Sequence, residues 1–147
     1  MKMSTKGRYG LRFLIDLALN GAPGNVTLKD IARRQGISEK YLWQIANPLK
    51  TAGLIHAEPG AGGGYALARA AEEITLRDVV VALEGENALV TCVDDPEACG
   101  RASGCAAREV WAELDARISE AMASFRLSDM VARQRALTVP AVLDYSI

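Results

Sequence analysis

Three cysteines lie within fourteen residues of this 147-residue chain, and their type and spacing are the clearest sign of chemistry. Cys92, Cys99 and Cys105 follow the pattern C-x6-C-x5-C, with a proline and two glycines between them that favour a loop curling back on itself. Thiolates gathered in this way can hold zinc or an iron–sulfur cluster. The tight cysteine pairs typical of a structural zinc site are absent, so the spacing leaves metal-bound and metal-free thiols open.

A thiol redox switch is a second interpretation, because Arg101 and Arg108 lie beside the cysteines and would favour a thiolate. A small redox enzyme is disfavoured, since the chain has no C-x-x-C motif, no nucleotide-binding loop and no acid–base pair next to the cysteines. The odd number of cysteines and the lack of a secretory signal pattern indicate a reducing compartment. We therefore expect a cytoplasmic protein that is not an enzyme.

The elements that must position this loop begin with a predicted helix-turn-helix. Thr27 is a good N-cap for a helix over residues 28–35, and Gly36 ends that helix where a left-handed residue is needed. Ser38 then caps a second helix, which we expect to run from Glu39 to about Ala52. Two helices joined by so short a turn are typical of DNA-binding proteins.

The second helix has separate apolar and polar faces. Its inward positions are Leu42, Ile45, Ala46 and Leu49, and its outward positions are Glu39, Lys40, Trp43, Gln44 and Asn47. Lysine donates to guanine or phosphate, and glutamine and asparagine can pair with adenine. Pro48 predicts a kink, or a helix that loosens after Ala46, because proline removes one helical hydrogen bond. An ordinary helical hairpin with a solvated face is the alternative interpretation.

A glycine-dense turn between two short strands follows the second helix. Residues 54–58 and 65–67 predict the strands, and residues 59–64 predict the turn. Gly60 and Gly62 would let the backbone approach a phosphate or a groove without side-chain obstruction. A β-hairpin in this position is the wing of a winged helix. The predicted fold class is mainly α, a winged helix-turn-helix with a β-hairpin wing and a long C-terminal dimerisation helix.

Charge is divided unevenly along the chain. Residues 1–55 contain nine basic and three acidic side chains, a balance of +6, whereas the other 92 residues have a balance of −7. A basic front on a nearly neutral protein indicates a polyanionic partner, here double-stranded DNA. Lys6 and Arg8 lie on the early turns of a first helix predicted from Ser4 to about Asn20, where they could reach phosphates.

The second half predicts a sensor loop and a dimerisation helix. A short helix follows Thr75 and ends at Gly85, and residues 106–125 predict a long helix with two interleaved rows of residues seven apart. The rows are Trp111, Ile118 and Phe125, and Ala107, Leu114 and Ala121. We expect this stripe to pair two copies, with packing on its own domain as the alternative. Ser128 predicts the cap of a short helix to about Gln134.

The chain accordingly divides into four parts: a DNA-binding domain (1–85), a cysteine-bearing sensor loop (86–105), a dimerisation helix with a short following helix (106–135), and a loosely held tail (136–147). No apolar run reaches the length of about 18 residues that a membrane-spanning helix needs.

Several segments resemble the Rrf2 family of bacterial winged-helix regulators, which has IscR-like, NsrR-like and CymR-like branches. These segments are residues 1–9, 31–32, 37–42, 49–55 and 62–67, together with the position of the cysteine trio. The resemblance implies a homodimeric transcription regulator with a crossed pair of long helices. It implies a [2Fe–2S] or [4Fe–4S] cluster on Cys92, Cys99 and Cys105, whose state alters DNA affinity, or a cluster-free, CymR-like regulator controlled by thiol oxidation or a partner protein.

Two ligand positions of the family differ in this chain. Arg108 stands where IscR-like proteins have a histidine ligand, and Arg8 stands where NsrR-like proteins have an aspartate. The fourth cluster ligand is therefore open, with Asp94, Glu97, Glu109 or an exogenous group as candidates, whereas His56 is expected at the surface of the wing. Combining charge, helix face and resemblance, the candidate DNA-binding residues are Lys6, Arg8, Thr27, Ser38, Glu39, Lys40, Tyr41, Trp43, Gln44, Gly60 and Gly62.

Overall fold

The structure, a computed structural model, describes residues 2–139 and has seven α-helices and one β-hairpin in that range. The helices are α1 (Thr5–Asn20), α2 (Leu28–Gln35), α3 (Glu39–Thr51), α4 (Leu76–Glu84), α5 (Thr91–Asp94), α6 (Ala106–Ser124) and α7 (Leu127–Thr138). The strands are β1 (Ile55–Glu58) and β2 (Gly64–Leu67), paired antiparallel with Ile55 opposite Leu67 and Glu58 opposite Gly64. This is the mainly α winged helix predicted from the sequence.

Side-chain caps start the first three helices where the sequence predicts them. Ser4, Thr27 and Ser38 each accept a hydrogen bond from a backbone N–H three residues on, at 3.1–3.2 Å. Gly36 ends α2 in the left-handed conformation (φ 65°), and its N–H donates to the carbonyl of Ala32. Because the turn between α2 and α3 is fixed by these bonds at both ends, the angle between the two helices is set locally.

The core draws on α1, α2, α3, β1, α4 and α7, and none of the nineteen residues of α6 is buried. Helix α1 lies centrally and packs against α4, α7, α2, α3 and β2. Close approach to α4 requires a glycine, because a Cβ on Gly10 would lie 2.0 Å from Cδ1 of Leu83. Among residues 2–139, no helix has both the length and the apolar character needed to cross a membrane.

Three details differ from the sequence prediction. Helix α3 does not loosen after Ala46 but continues through Pro48 to Thr51, and the N–H of Ala52 donates to the carbonyl of Pro48; the alternative effect of Pro48, a kink, stays a prediction. Helix α7 begins at Leu127 after Arg126, with no side-chain cap, so Ser128 is not its N-cap. It also extends to Thr138, into the predicted tail, whose residues 140–147 lie outside the described range.

Candidate nucleic-acid interface and cysteine loop

The outward face of α3 carries an uninterrupted group of side chains that the core does not use. Leu42, Ile45, Ala46 and Leu49 are buried on the inner face. Glu39, Lys40, Trp43 and Gln44 are exposed on the other, and Trp43 keeps 57% of its surface. This face has hydrogen-bond donors, an acceptor and one large apolar ring, which are the chemical groups that read base edges in a major groove.

Tyr41 lies apart from this face and joins α3 to α1. Its half-buried ring meets Tyr9 edge to face, with centroids 5.9 Å apart. The guanidinium carbons of Arg8 and Arg12 lie 5.8 and 5.2 Å from the centre of the Tyr9 ring, within cation–π range. Of the predicted contact residues, Arg8 is exposed beside the Tyr9 ring, and Tyr41 is half-buried against that ring. Lys6 is half-buried nearby on the first turn of α1.

A buried carboxylate that the sequence did not reveal as important holds α2 against α1. Asp16 is 2% exposed and accepts hydrogen bonds from Nε and Nη2 of Arg34 (3.0 and 2.7 Å) and from Nε2 of Gln35 (2.8 Å). This contact raises the pKa of Arg34 above its ordinary value, chiefly through the hydrogen bond with Asp16. Arg12 adds bonds to the side chain and carbonyl of Gln35. The one available signal in the sequence was a single acid within the apolar run of residues 13–19.

The wing projects its glycine tip while its base is fixed to the domain. Gly60 and Gly62 have φ values of 87° and 75°, and open space lies where a Cβ would be. Tyr65 exchanges two backbone hydrogen bonds with Val26, at 2.7 and 2.9 Å, just before the exposed N-cap Thr27 of α2. The base of the wing and the start of the helix-turn-helix are therefore one unit, with both predicted glycines at its exposed end.

The cysteine loop is ordered by its own hydrogen bonds. Cys92 lies on α5, Cys99 follows a 3-10 turn, and Cys105 is the N-cap of α6, where its Sγ accepts the N–H of Arg108 at 3.4 Å. Nε of Arg108 donates to the carbonyl of Cys92 at 2.7 Å, which ties the first cysteine to the helix that follows the third. All three thiols are half-buried and none forms a disulfide.

Three thiols are the right ligand type for an iron–sulfur cluster, but the structure does not bring them close enough together to bind one. Within residues 2–139, no three His, Cys, Asp or Glu side chains come close enough together to hold a metal ion. Cys99 opens into a cleft of about 320 Å³, shared with Glu97, Ser103 and Arg108. Among the other proposed ligands, Asp94 accepts the N–H of Ala88 at 2.9 Å, and Glu109 is exposed on α6. Cluster binding would therefore need the loop to rearrange around its three thiols.

Comparison with known proteins identifies the family. The family model described as Rrf2, iron-dependent transcriptional regulator, matches residues 3–133. The chain belongs to the Rrf2 family. It is 43% identical over 131 residues to the protein rrf2 of Nitratidesulfovibrio vulgaris, covering 89% of this chain and 87% of that protein. It is 39% identical to CymR of Bacillus subtilis, covering 88% and 89% of the two chains. The solved IscR of T. potens superposes with a TM-score of 0.76 at 35% identity, covering 96% and 93%.

Membership of the Rrf2 family confirms the predicted class of protein: a transcription regulator with a winged helix, and not an enzyme. The likeness extends to both named branches, IscR and CymR, so it does not by itself choose between a cluster and a metal-free thiol sensor. His56 is exposed on β1 with its Nε2 4.0 Å from Oε1 of Glu58, which confirms the predicted position at the surface of the wing.

Proposed function

We propose that this Rrf2-family regulator acts as a homodimer that binds a palindrome-like operator, with its affinity set by an iron–sulfur cluster on Cys92, Cys99 and Cys105. The observation that carries the DNA-binding part is the exposed face of α3, from Glu39 to Gln44, beside a wing with a glycine tip. Helix α3 lies within residues 1–55, whose charge balance of +6 suits a partner rich in phosphate, and the wing follows directly after it.

The proposed dimer rests on the surface of α6. Val110, Trp111 and Leu114 are exposed on a helix that contributes no buried residue to its own domain. A group of exposed apolar side chains such as this usually marks a surface that a partner covers. A second copy of the same helix supplies a matching stripe, and two-fold symmetry would present the two α3 helices about one DNA turn (~34 Å) apart.

A packed path supports control of DNA binding by the cysteine loop. Helix α5 packs against α6, α6 against α4, and α4 against both α1 and α3. At the end of this path Glu84 of α4 accepts hydrogen bonds from the N–H and the hydroxyl of Ser4, the cap of α1. A shift of the loop can therefore reach both the recognition helix and the basic start of α1 through side chains already in contact.

The three cysteines would hold the cluster through their thiolates, and a bound cluster would supply a redox-sensitive centre of iron and sulfide. The chain itself would position the cluster ligands through hydrogen bonds around them. Arg108 fixes the backbone of Cys92 and donates to the sulfur of Cys105, so the first and third ligands are joined through one residue. Glu97 is the carboxylate that shares the cleft with Cys99, which makes it the preferred fourth ligand within the described residues.

A cluster-free regulator of the CymR-like kind is the second candidate. It is favoured by the 39% identity to CymR and by Cys99, whose thiol faces an open cleft beside Arg108. In that case oxidation of the thiols or a partner protein would control DNA binding.

Anaerobic purification followed by iron and sulfide analysis and visible absorption spectroscopy separates these candidates. The cluster predicts iron, sulfide and charge-transfer absorption in the wild type and their loss in Cys92→Ala, Cys99→Ala and Cys105→Ala. Ser103→Ala, in the same loop, is the matched control and should retain them. If the wild type binds neither iron nor sulfide, the cluster is refuted. Oxidation-sensitive DNA binding that disappears in the cysteine variants would then favour the thiol switch.

DNA binding and dimerisation are tested with the same preparations. Lys40→Ala should weaken binding to duplex DNA and flatten the dependence of log affinity on log salt by about one unit if Lys40 contacts a phosphate. Leu114→Glu should shift the sedimentation coefficient from dimer to monomer, whereas the polar control Glu120→Gln on the same helix should not. A wild-type protein that sediments as a monomer, or that shows no affinity for any duplex at low salt, would refute the proposal.

A further inference from the structure

Trp43 is the one large apolar side chain on the outward face of α3, and packing does not account for it. It is 57% exposed, while its neighbours along the helix, Leu42 and Ile45, are fully buried. Within residues 2–139 no aromatic ring pairs with it and no guanidinium lies over it, in contrast to Tyr9 on the neighbouring helix. An indole exposed to water among polar side chains offers apolar surface that a partner would cover.

The chemistry of the major groove limits what such a ring can recognise. Base edges there present hydrogen-bond donors and acceptors, and the apolar group among them is the C5 methyl of thymine. Lys40 and Gln44, exposed on the same face of α3, already provide polar groups suited to guanine and adenine. The exposed face of α3 therefore combines polar side chains, Lys40 and Gln44, with one apolar ring, Trp43.

We propose that Trp43 determines operator specificity by covering the C5 methyl of one thymine in each half-site. This inference rests on the proposed function, because it requires α3 to lie in a major groove. Burial of one methyl-sized group corresponds to about a fourfold change in affinity, or about fifteenfold for the two half-sites of a symmetric operator. The indole N–H is a separate feature of the ring and is not needed for this contact.

Deoxyuridine lacks only the thymine methyl, so it isolates the contact. A duplex is first selected from a random-sequence library with the full-length wild-type protein. Symmetric thymine pairs are then replaced by deoxyuridine one position at a time, and affinity is measured by fluorescence anisotropy. At one pair the wild type should lose about fifteenfold in affinity. Trp43→Ala should bind the thymine and deoxyuridine duplexes equally well at that pair, and Trp43→Phe, which keeps an apolar ring but no N–H, should still prefer thymine.

Gln44→Ala is the matched control, because it removes a polar reader from the same exposed face and should weaken binding while keeping the thymine preference. Thermal unfolding that matches the wild type would show that the Trp43 variants fold, as expected for an exposed position. Tight binding that is insensitive to every deoxyuridine replacement refutes the methyl contact and leaves the proposed function standing. The same holds if Trp43→Ala retains the thymine preference or Trp43→Phe loses it. Failure to enrich any duplex refutes the proposed function itself.

Discussion

Replacing Arg34 tests whether the buried contact between α1 and α2 maintains the helix-turn-helix. Arg34→Met keeps the length of the side chain but leaves Asp16, 2% exposed, with the hydrogen bonds from Gln35 and from the amide of Asn20 as its remaining side-chain contacts. Removing one partner of a buried pair costs about 3–5 kcal/mol. Since the Gln35 bond at 2.8 Å survives, we expect the lower end, about 3 kcal/mol.

The neighbouring Arg33 provides a matched control on the same helix. Its pair with Asp30, at 3.4 Å, is solvent-exposed, with 76% of the Arg33 side chain accessible. An exposed pair of this kind contributes about 0.2–1 kcal/mol, so Arg33→Met should have a much smaller effect than Arg34→Met. Both variants remove one positive charge from α2, and therefore the difference between them isolates the buried contact.

Replacing the other partner, Asp16, should lower the free energy of unfolding by less than Arg34→Met does. Asp16→Asn leaves Arg34 without its carboxylate, but the arginine side chain is 32% exposed and can turn into water. We expect a loss of about 1–2 kcal/mol, the net value of hydrogen bonds to a charged group. The raised pKa of Arg34 means that the stabilisation would be lost only as pH rises above the ordinary arginine pKa. The cost of Arg34→Met should accordingly not change as pH rises from about 7 to about 10.

Urea unfolding gives these free energies, and it is done at one fixed protein concentration because the stability of the proposed dimer would depend on concentration. The reasoning is refuted if Arg33→Met and Arg34→Met are equally destabilising, or if Asp16→Asn costs more than Arg34→Met. A loss of stability confined to Arg34→Met that leaves DNA affinity unchanged at low temperature would show that the pair stabilises the fold without orienting α2.

Three further predictions concern packing, capping and exposure. Gly10→Ala should destabilise the protein by about 1–3 kcal/mol in urea unfolding, because the new Cβ would meet Leu83, whereas Gly24→Ala, with open space around it, should change stability little. Ser38→Ala should cost about 1 kcal/mol by removing the cap of α3, and a smaller loss than that of an exposed surface change would contradict the capping bond. In a Trp111→Phe background, Trp43 is the only tryptophan, and its fluorescence should change on addition of duplex DNA; no change would contradict its place at the interface.

The winged helix could be predicted from the sequence because its signals are local. Each of the first three N-caps lies three residues before the N–H that it accepts, and Gly36 stands where α2 ends, so the boundaries are set by side chains close in sequence. The start of α7 was predicted wrongly because it is set by contacts between residues distant in sequence. Its first turn is anchored by backbone hydrogen bonds from Leu127 to Ile74 and from Leu76 to Phe125, across about fifty residues of chain. No local residue pattern indicates such a contact, and the sequence therefore led to the prediction of Ser128 as the N-cap.

The same distinction explains why Asp16 and the cysteine loop were harder to predict. Asp16 lies among apolar residues of α1, and its partners are 18 and 19 residues away on α2, so the sequence alone shows an acid without showing its cation. In the loop, residue types identify the thiols, but the bonds that position them come from Arg108, which stands at a position where the resemblance led us to look for a ligand. A residue that stands in place of a ligand can thus still organise the loop, here by hydrogen bonds to the backbone of Cys92 and to the sulfur of Cys105.

Helix α6 links these observations to the proposed regulation. It begins at Cys105, and Asp115, about halfway along it, accepts the N–H of Leu89 at the start of the cysteine loop. Its far end pairs with the start of α4 through the bridge between Thr75 and Arg126. None of its residues is buried, but α4 also contacts it along its length, where Nε of Arg77 donates to Oγ of Ser119 at 2.7 Å. In the proposed dimer, a second copy would cover the exposed side of α6 while the cysteine loop and α4 hold its other side, and a rearrangement of the thiols would then change how the two α3 helices are spaced.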